Sequence, residues 1–505
     1  MNFPKASFFD DTKSNLWIKE VIQASDPIIS GMLIKNSKLG IQKEANYFIQ
    51  DGKLACSKKY IDLQNVTLEK IKNTGFKLTK NRKSVEFYTH NEQALGMWYD
   101  YLKSFCVQKG FNNVYSINKL IGKGNFAKVY SASKKSDHSM YAVKAFDKLK
   151  FQDIQVDKPA LIKELSIMRK MDFVGVIKLY EVFENDNYIF LVCELLEGGE
   201  LFNQMKGKVY DEKTVAHIMF RILQSIDYIH SVGVLHRDIK PENLILRSKK
   251  DISDLVIADF GLADFYNIDG DYMFKRCGTP GYVAPELLQD KIYDYKIDIF
   301  SAGVLMFIML TGHSPFKAKS YDEIVMKNYH CQIEFNLINN QPLSEEAVHL
   351  LKSLLEKNPE LRISSELALQ HPWFQKQADH KLILADSYPR HKKNSQLYAK
   401  TPLMGQELNQ SITSPLSVTP QMRSKSNTAD IQREEQNQSA SRQQSQSLKV
   451  QKQECILEEN DYNVNEEDDI PHSNQIKMYQ IQPKLKKNQE ELQQKNIKGS
   501  LQFKV

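Results

Sequence analysis

The stretch Val234-Leu235-His236-Arg237-Asp238-Ile239-Lys240-Pro241-Glu242-Asn243 restricts what this chain can fold into more than any other. It sets a carboxylate, an ammonium and an amide on one short loop. Asp238 can orient a hydroxyl and accept its proton. Lys240 can reach the same reacting centre, and the Asn243 amide offers a neutral oxygen that suits a hard Mg²⁺ ion. A polar surface turn could hold the same residue types by chance. Asp259-Phe260-Gly261, sixteen residues after Asn243, weighs against chance. Such a set fits phosphoryl transfer, whose catalysis is mostly positioning and charge neutralisation.

The segment upstream supplies what that chemistry lacks. Tyr115 to Ile121 reads as a strand leading into Gly122-Lys123-Gly124-Asn125-Phe126-Ala127-Lys128-Val129-Tyr130. Glycines there let backbone N–H groups approach phosphate oxygens with no Cβ in the way. The order strand, loop, strand separates the loop from a dinucleotide-binding turn, which opens a helix. Tyr141-Ala142-Val143-Lys144 reads as a strand ending in an ammonium. Ala160, Leu161, Leu165, Met168 and Met171 mark the apolar face of a following helix, and Glu164 on that helix can pair with Lys144.

In this order and spacing, residues 115–374 resemble the eukaryotic protein kinases. The resemblance implies a bilobal α+β fold, ATP and Mg²⁺ as cofactors, and a role for each matched residue. Gly122, Lys123, Gly124 and Asn125 would cover the triphosphate. Val129 and Ala142 would roof the adenine and Ile245 would floor it. Lys144 would hold the α- and β-phosphates while paired with Glu164. Cys193 would precede a hinge starting at Glu194, and Glu200 would touch the ribose or a basic substrate side chain. Asp238 would be the base, Lys240 would steady the γ-phosphate, and Asn243 and Asp259 would hold Mg²⁺. Thr279 would bond to Asp238 and Lys240, Glu286 would pair with Arg362, and Asp298 would anchor the catalytic loop. Phe300 stands where the family usually has tryptophan. Arg276 to Glu286, Lys357-Asn358-Pro359 with Arg362, and His371-Pro372-Trp373-Phe374 resemble the calcium/calmodulin-dependent kinase group. Glu200 and Glu242 are carboxylates suited to a substrate arginine upstream of a Ser/Thr acceptor. No Ser or Thr lies between Asp259 and Thr279. Arg237 therefore needs a partner other than a phosphorylated hydroxyl, with Asp269 or Asp271 as candidates.

Residues 28–107 have a different pattern. Short β-type runs recur from Ser30 to Tyr88, with an Asp51-Gly52 hairpin signal. Ala94, Leu95, Met97, Trp98, Tyr101, Leu102 and Phe105 then recur at helical spacing after Asn91, a suitable cap. The expected form is a small β-barrel plugged by a helix. Gly31-x-Leu33-x-Lys35, Tyr47-Phe48 and Trp98 resemble a pleckstrin homology domain. That resemblance implies binding of anionic lipid head groups by Lys35, Lys38 and Lys43, although Asn46 replaces the usual arginine. Lys and Arg outnumber Asp and Glu 13 to 7 over 28–107, which agrees with an anionic partner. A protein-docking or autoinhibitory role fits as well. Within residues 1–27, Leu16, Trp17, Val21 and Ile22 are spaced for a short helical cap.

A net charge of +6 without a long basic run gives no sign of a nucleic-acid partner. Six scattered cysteines without a CxxC pair argue against zinc sites and disulfide frameworks. The longest apolar run, Val304–Leu310, is too short to span a bilayer. The expectation is a cytoplasmic protein, recruited to a membrane surface if the first module binds lipid. From 375 to 505 the apolar spacing collapses into a Gln-, Ser- and Lys-rich stretch with an acidic run, composition typical of a disordered tail. Lys381-Leu382-Ile383-Leu384 is the nearest approach to a calmodulin-binding helix, and Asp386 and Pro389 interrupt it. The alternative to an enzyme is a membrane-targeted scaffold that uses the kinase fold only for binding.

Overall fold

The computed structural model describes residues 7–10, 14–23, 27–36, 42–56, 58–124, 127–149, 158–266, 277–289, 291–333, 335 and 343–377. Lys38, Asn125, Asp269, Asp271, the Lys381–Leu384 segment and the tail beyond Gln377 lie outside them.

Alternating burial along the first half of the chain produces antiparallel strands. They are β1 (Ile29–Asn36), β2 (Gln42–Gln50), β3 (Lys53–Cys56), β4 (Lys59–Asp62), β5 (Thr67–Ile71), β6 (Gly75–Lys80) and β7 (Lys83–Tyr88). Helix α1 (Glu92–Phe105) follows, and the Asn91 side chain accepts from the Ala94 N–H at its first turn. Leu95, Trp98 and Leu102, three to four residues apart, pack into one core with Leu33, Ile49, Phe76 and Phe87. The helix expected around Leu16 to Ile22 is absent. Ile18 instead forms an antiparallel bridge with Tyr60, and Leu16 enters this same core. Backbone pairing to an open strand satisfies Ile18 better than a single frayed turn would.

These strands pack on a core of their own, and their sheet continues beyond them. Their order is β4-β3-β2-β1-β7-β6-β5, and the two-residue β8 (Val107–Gln108) takes the β5 edge. Val107 aligns in parallel with Thr67 on one side and with Val182 on the other. Through β8 the sheet continues into β12 (Leu179–Glu184), β13 (Tyr188–Glu194), β11 (Met140–Asp147), β10 (Ala127–Lys134) and β9 (Tyr115–Lys123), making 13 strands. The short helix α2 (Phe111–Val114) leads into β9.

Helix α3 (Lys158–Met168) packs on that upper sheet, with Leu161, Leu165, Ile167 and Met168 buried. Just past its end, the three guanidinium nitrogens of Arg169 are sealed from solvent with no hydrogen-bond partner. Burial pushes this guanidinium down to about 10, opposed by nearby groups that include Asp62. Arg169→Met should therefore raise the melting temperature, the gain being on the order of 1 kcal/mol or more because a desolvated charge is removed. Differential scanning calorimetry of the variant checks this, and a lower melting temperature would contradict it.

Below the sheet the chain becomes helical. It includes α4 (Leu201–Met205), α5 (Glu212–Ser231), α6 (Pro285–Leu288), α7 (Lys296–Thr311), α8 (Tyr321–His330), α9 (Glu345–Leu354), α10 (Ser365–Leu369) and α11 (Pro372–Gln377). Helix α5 starts on an Asp211 cap, whose side chain accepts from the Thr214 N–H. Helix α7 is buried on nearly every face, which explains its apolar run. No helix of the described residues is long and apolar enough to cross a membrane. The strand β14 (Gly199–Glu200), just before α4, and the strands β15 (Val234–Leu235), β16 (Leu244–Leu246), β17 (Leu255–Ile257) and β18 (Asp264–Phe265), between α5 and α6, form two small sheets. They hold the loops that carry Asp238 and Asp259.

Candidate active site

The catalytic loop is bent by Asp298, the third residue of α7. Its two carboxylate oxygens accept from the backbone N–H of Arg237 (2.8 Å) and of His236 (2.9 Å), and His230 Nε2 lies 2.9 Å from the second. Burial alone would raise the Asp298 carboxyl; the His230 contact and the charges of both histidines outweigh it and hold the carboxyl low. This anchor holds Arg237 at φ 68°, a left-handed conformation that a non-glycine residue adopts only under constraint.

That bend brings the loop's functional atoms together. Asp238 Oδ1 accepts from the Thr279 hydroxyl at 2.8 Å, and Oδ2 accepts from the Asn243 amide at 2.9 Å. Lys240 Nζ lies 3.0 Å from Asp238 Oδ2 and donates to Thr279 Oγ1 at 2.9 Å. Gly278 permits the approach of Thr279. Its φ is 101°, and a Cβ there would stand 2.8 Å from the Arg237 carbonyl. The Asn243 amide nitrogen also donates to the Asp238 carbonyl at 2.8 Å, so the amide oxygen is the atom that a cation would meet.

Asp259 is brought beside this loop by the β16–β17 hairpin. Leu244 pairs with Ile257, and the Ala258 N–H donates to the Asn243 carbonyl at 2.8 Å. Asp259 also has a positive φ of 60°. Lys144 on β11 reaches both Glu164 Oε1 on α3 (2.8 Å) and Asp259 Oδ1 (3.2 Å). The Lys144 charge holds the Asp259 carboxyl below the usual carboxylate range. Burial alone would lower the Lys144 ammonium, but Asp259 and Glu164 overturn that and raise it. The ammonium therefore stays charged across the physiological range.

The remaining candidates line the sheet above and the hairpin below. Val129 pairs with Gly122 and with Lys144 across adjacent strands. A Cβ on Gly122 would meet only Val129, and one on Gly124 only the Ala127 carbonyl at 3.6 Å. Among the described residues no close neighbour demands glycine at either position. The Gly124 N–H donates to the Ala127 carbonyl, and Lys123 ends β9. Ala142 pairs with Cys193, whose thiol burial pushes up to about 12. The Glu194 carboxylate is taken by Arg247. Glu200 pairs with the half-buried Ile245 in the β14–β16 ladder.

One partner was not visible in the sequence. Arg237 donates to Asp264 Oδ2 (3.0 Å), Tyr293 Oη (3.2 Å) and the Leu262 carbonyl (2.7 Å). Lys163, beside Glu164 on α3, reaches the same Asp264 oxygen at 2.7 Å. Asp264 thus joins the catalytic loop to α3. The proposed alternatives Asp269 and Asp271 lie outside the described residues. No spacing rule marks Asp264, because its partners sit 27 and 101 residues away.

The donor set fits a magnesium-bound triphosphate. Asn243 and Asp259 supply two oxygens, too few for a protein-only cage but suited to an ion completed by phosphates and water. No cluster of three His, Cys, Asp or Glu side chains that could hold a metal occurs among the described residues. Comparison with known proteins agrees with this chemistry. The chain is similar to a probable serine/threonine-protein kinase 2 of Plasmodium falciparum, 40% identical over 266 residues, which are 52% of this chain and 51% of that protein. It is also similar to calcium/calmodulin-dependent protein kinase type 1 of Caenorhabditis briggsae, 34% identical over 51% of this chain and 72% of that protein. Type 1B of Rattus norvegicus matches at 34% over 52% and 75% respectively. The chain thus spans about half the length of the Plasmodium relative. The protein kinase domain model matches residues 115–374, just over half of the chain. With relatives named as serine/threonine kinases and this geometry at its centre, the chain belongs to the protein kinase family.

Proposed function

We propose that this chain transfers the γ-phosphate of ATP to Ser or Thr hydroxyls of proteins with basic residues upstream of the acceptor. The observation that carries this reading is the Asp238 carboxylate, held by Thr279, Asn243 and Lys240 within 3.0 Å and set beside the Lys144–Glu164–Asp259 group. Asp238 orients the acceptor hydroxyl and takes its proton. Lys240 steadies the transferring group, and Lys144 binds the α- and β-phosphates. Gly122, Lys123, Gly124 and Asn125 cover the triphosphate, Val129, Ala142 and Ile245 enclose the adenine, and the backbone from Glu194 meets its edge. Mg²⁺ on Asn243 and Asp259 supplies neutralisation of the phosphate charge. Glu200 and Glu242 select a substrate arginine. A phosphate-transfer assay comparing wild type with Asp259→Ala tests the enzyme reading; equal rates would leave only the scaffold alternative. A peptide library tests the basic preference, with the rate expected to fall at least about tenfold when the upstream arginine is removed, as for loss of a charge-assisted pair.

The Asp264 contacts support activity without phosphorylation of the activation segment. A carboxylate meeting both Arg237 and Lys163 can do what a phosphate does elsewhere. Asp264→Asn should lower the rate of phosphate-free enzyme made in bacteria, and an unchanged rate would refute this role.

The first module fits a pleckstrin homology-like, anion-recognising role. Lys35, Lys43 and Lys59 are clustered closely enough that burial and the neighbouring ammoniums hold Lys35 below its usual range. Trp17 already occupies part of this patch, with Lys59 Nζ 4.3 Å and Lys35 Nζ 4.9 Å from its ring. Sedimentation with anionic vesicles, wild type against Lys35→Glu/Lys43→Glu, decides between lipid binding and protein docking. Calmodulin binding gains no support from the described residues, and the candidate segment lies outside them.

A further inference from the structure

Residues Ser7 to Asp10 form a tight turn, with the Asp10 N–H donating to the Ser7 carbonyl and the Ser7 N–H to Asp10 Oδ2, both at 3.1 Å. Four residues near a chain start do not order themselves without external contacts. Here the contacts are extensive. Phe9 is only 2% exposed and belongs to the kinase core that holds Phe146, Leu161 and Leu165, not to the core of the first module. The Ser7 hydroxyl donates to Glu184 Oε2 (2.5 Å), and the Phe8 N–H donates to Glu184 Oε1 (2.6 Å). Glu184 is buried at the end of β12 and also pairs with Lys148 beyond β11. Lys158, the first residue of α3, donates to the Asp10 carbonyl at 3.0 Å and lies over the Phe8 ring at 5.2 Å. Asp10 Oδ1 accepts from the Asn81 N–H of the β6–β7 turn at 2.7 Å.

The turn therefore joins three things: the start of α3, the ends of β11 and β12, and the first module. Helix α3 carries Glu164, whose distance from Lys144 depends on where the helix sits. The Ser166–Gln64 hydrogen bond at 3.1 Å is a further polar link from this helix to the first module. We propose that Ser7-Phe8-Phe9-Asp10 is a built-in clamp that fixes α3 in the position where Glu164 meets Lys144, so that activity depends on this segment staying docked. The clamp rests on the kinase reading of the Lys144–Glu164 pair. Glu184 makes it sensitive to charge, because a negative group at Ser7 would face a buried carboxylate.

The test uses the full chain. Phe9→Ala removes the buried ring, and Ser7→Asp adds one charge while leaving every apolar contact intact. For each, ATP and peptide kinetics, the melting temperature and hydrogen exchange over residues 158–168 are measured. The expected result is a fall of about 3- to 30-fold in kcat/KM for ATP, the usual range for losing one coupling contact. Exchange in α3 should be faster in both variants, and each activity loss should exceed the unfolded fraction read from the melting curve at the assay temperature. A synthetic peptide copying residues 3–14 should restore Phe9→Ala activity, and the same peptide with alanine for Phe9 should not. Unchanged kinetics and unchanged α3 exchange in Ser7→Asp would overturn the proposal. So would loss of activity only in proportion to unfolded protein, without rescue by the peptide. If the wild type transfers no phosphate, the kinase reading fails by itself, and faster α3 exchange in both variants still decides whether the turn clamps the helix.

Discussion

Asp238→Asn should lower kcat by about 100- to 10,000-fold, or about 2.7 to 5.5 kcal/mol of transition-state stabilisation, while the KM for ATP stays within about twofold. The substitution keeps volume and removes the acceptor that takes the hydroxyl proton. It also disturbs the local donors. Thr279, Asn243 and Lys240 all donate toward this carboxylate or to one another, and an amide nitrogen in place of one oxygen sets donor against donor. The group proposed to bind the nucleotide is separate, since Lys144 pairs with both Glu164 and Asp259. The loss should therefore appear in kcat. Steady-state kinetics with varied ATP checks this, and a variant that keeps more than about a tenth of wild-type kcat would remove Asp238 as the base.

Glu286→Ala should cause the largest loss of stability, about 3–5 kcal/mol, because it strands a buried guanidinium. Arg362 has a fully buried side chain and pairs with both Glu286 oxygens, at 2.6 and 3.0 Å. Its other contacts within hydrogen-bond or ring distance are the carbonyls of Glu356, Lys296 and Lys357 and the face of Phe300, 4.9 Å from Cζ. None of these can neutralise the charge. Part of the pair's apparent worth is thus the penalty of breaking it, so Glu286→Ala/Arg362→Met should be more stable than Glu286→Ala alone. Urea unfolding followed by circular dichroism measures both, and equal midpoints for the single and double variants would refute the argument. The single variant should also lose activity near its unfolding midpoint. Glu286 lies in α6, just after the segment that carries Thr279, and that segment is held to α7 by the Ser301 hydroxyl on the Tyr282 carbonyl at 2.9 Å.

The parts of this site readable from sequence share one property: the residues that meet in space are close along the chain or lie on a regular element. Asp238, Lys240 and Asn243 fall within six positions, and a loop that short must bring their side chains near one another. The Asn91 cap and the helical spacing after it predict α1; the structure starts the helix there and buries Leu95, Trp98 and Leu102, whereas Met97 and Tyr101 stay exposed. Trp17 and Leu16 mislead for the same reason. Their spacing fits a turn of helix, but the open backbone of Tyr60 competes for Ile18.

Local spacing marked the lysine and glutamate that pair and the acidic residues of the centre, and the resemblance carried by the order of motifs indicated the kinase family. Only the folded chain decided that Arg237 and Lys163 share Asp264, that β8 merges the first module with the upper sheet, and that Phe9 lies in the kinase core. The physical reason is the range of each interaction. Propensity and periodicity act over a few residues. Ion pairs and apolar contacts act between whatever the fold brings within a few ångströms, and these partners are up to 177 residues apart in the turn that begins the described chain.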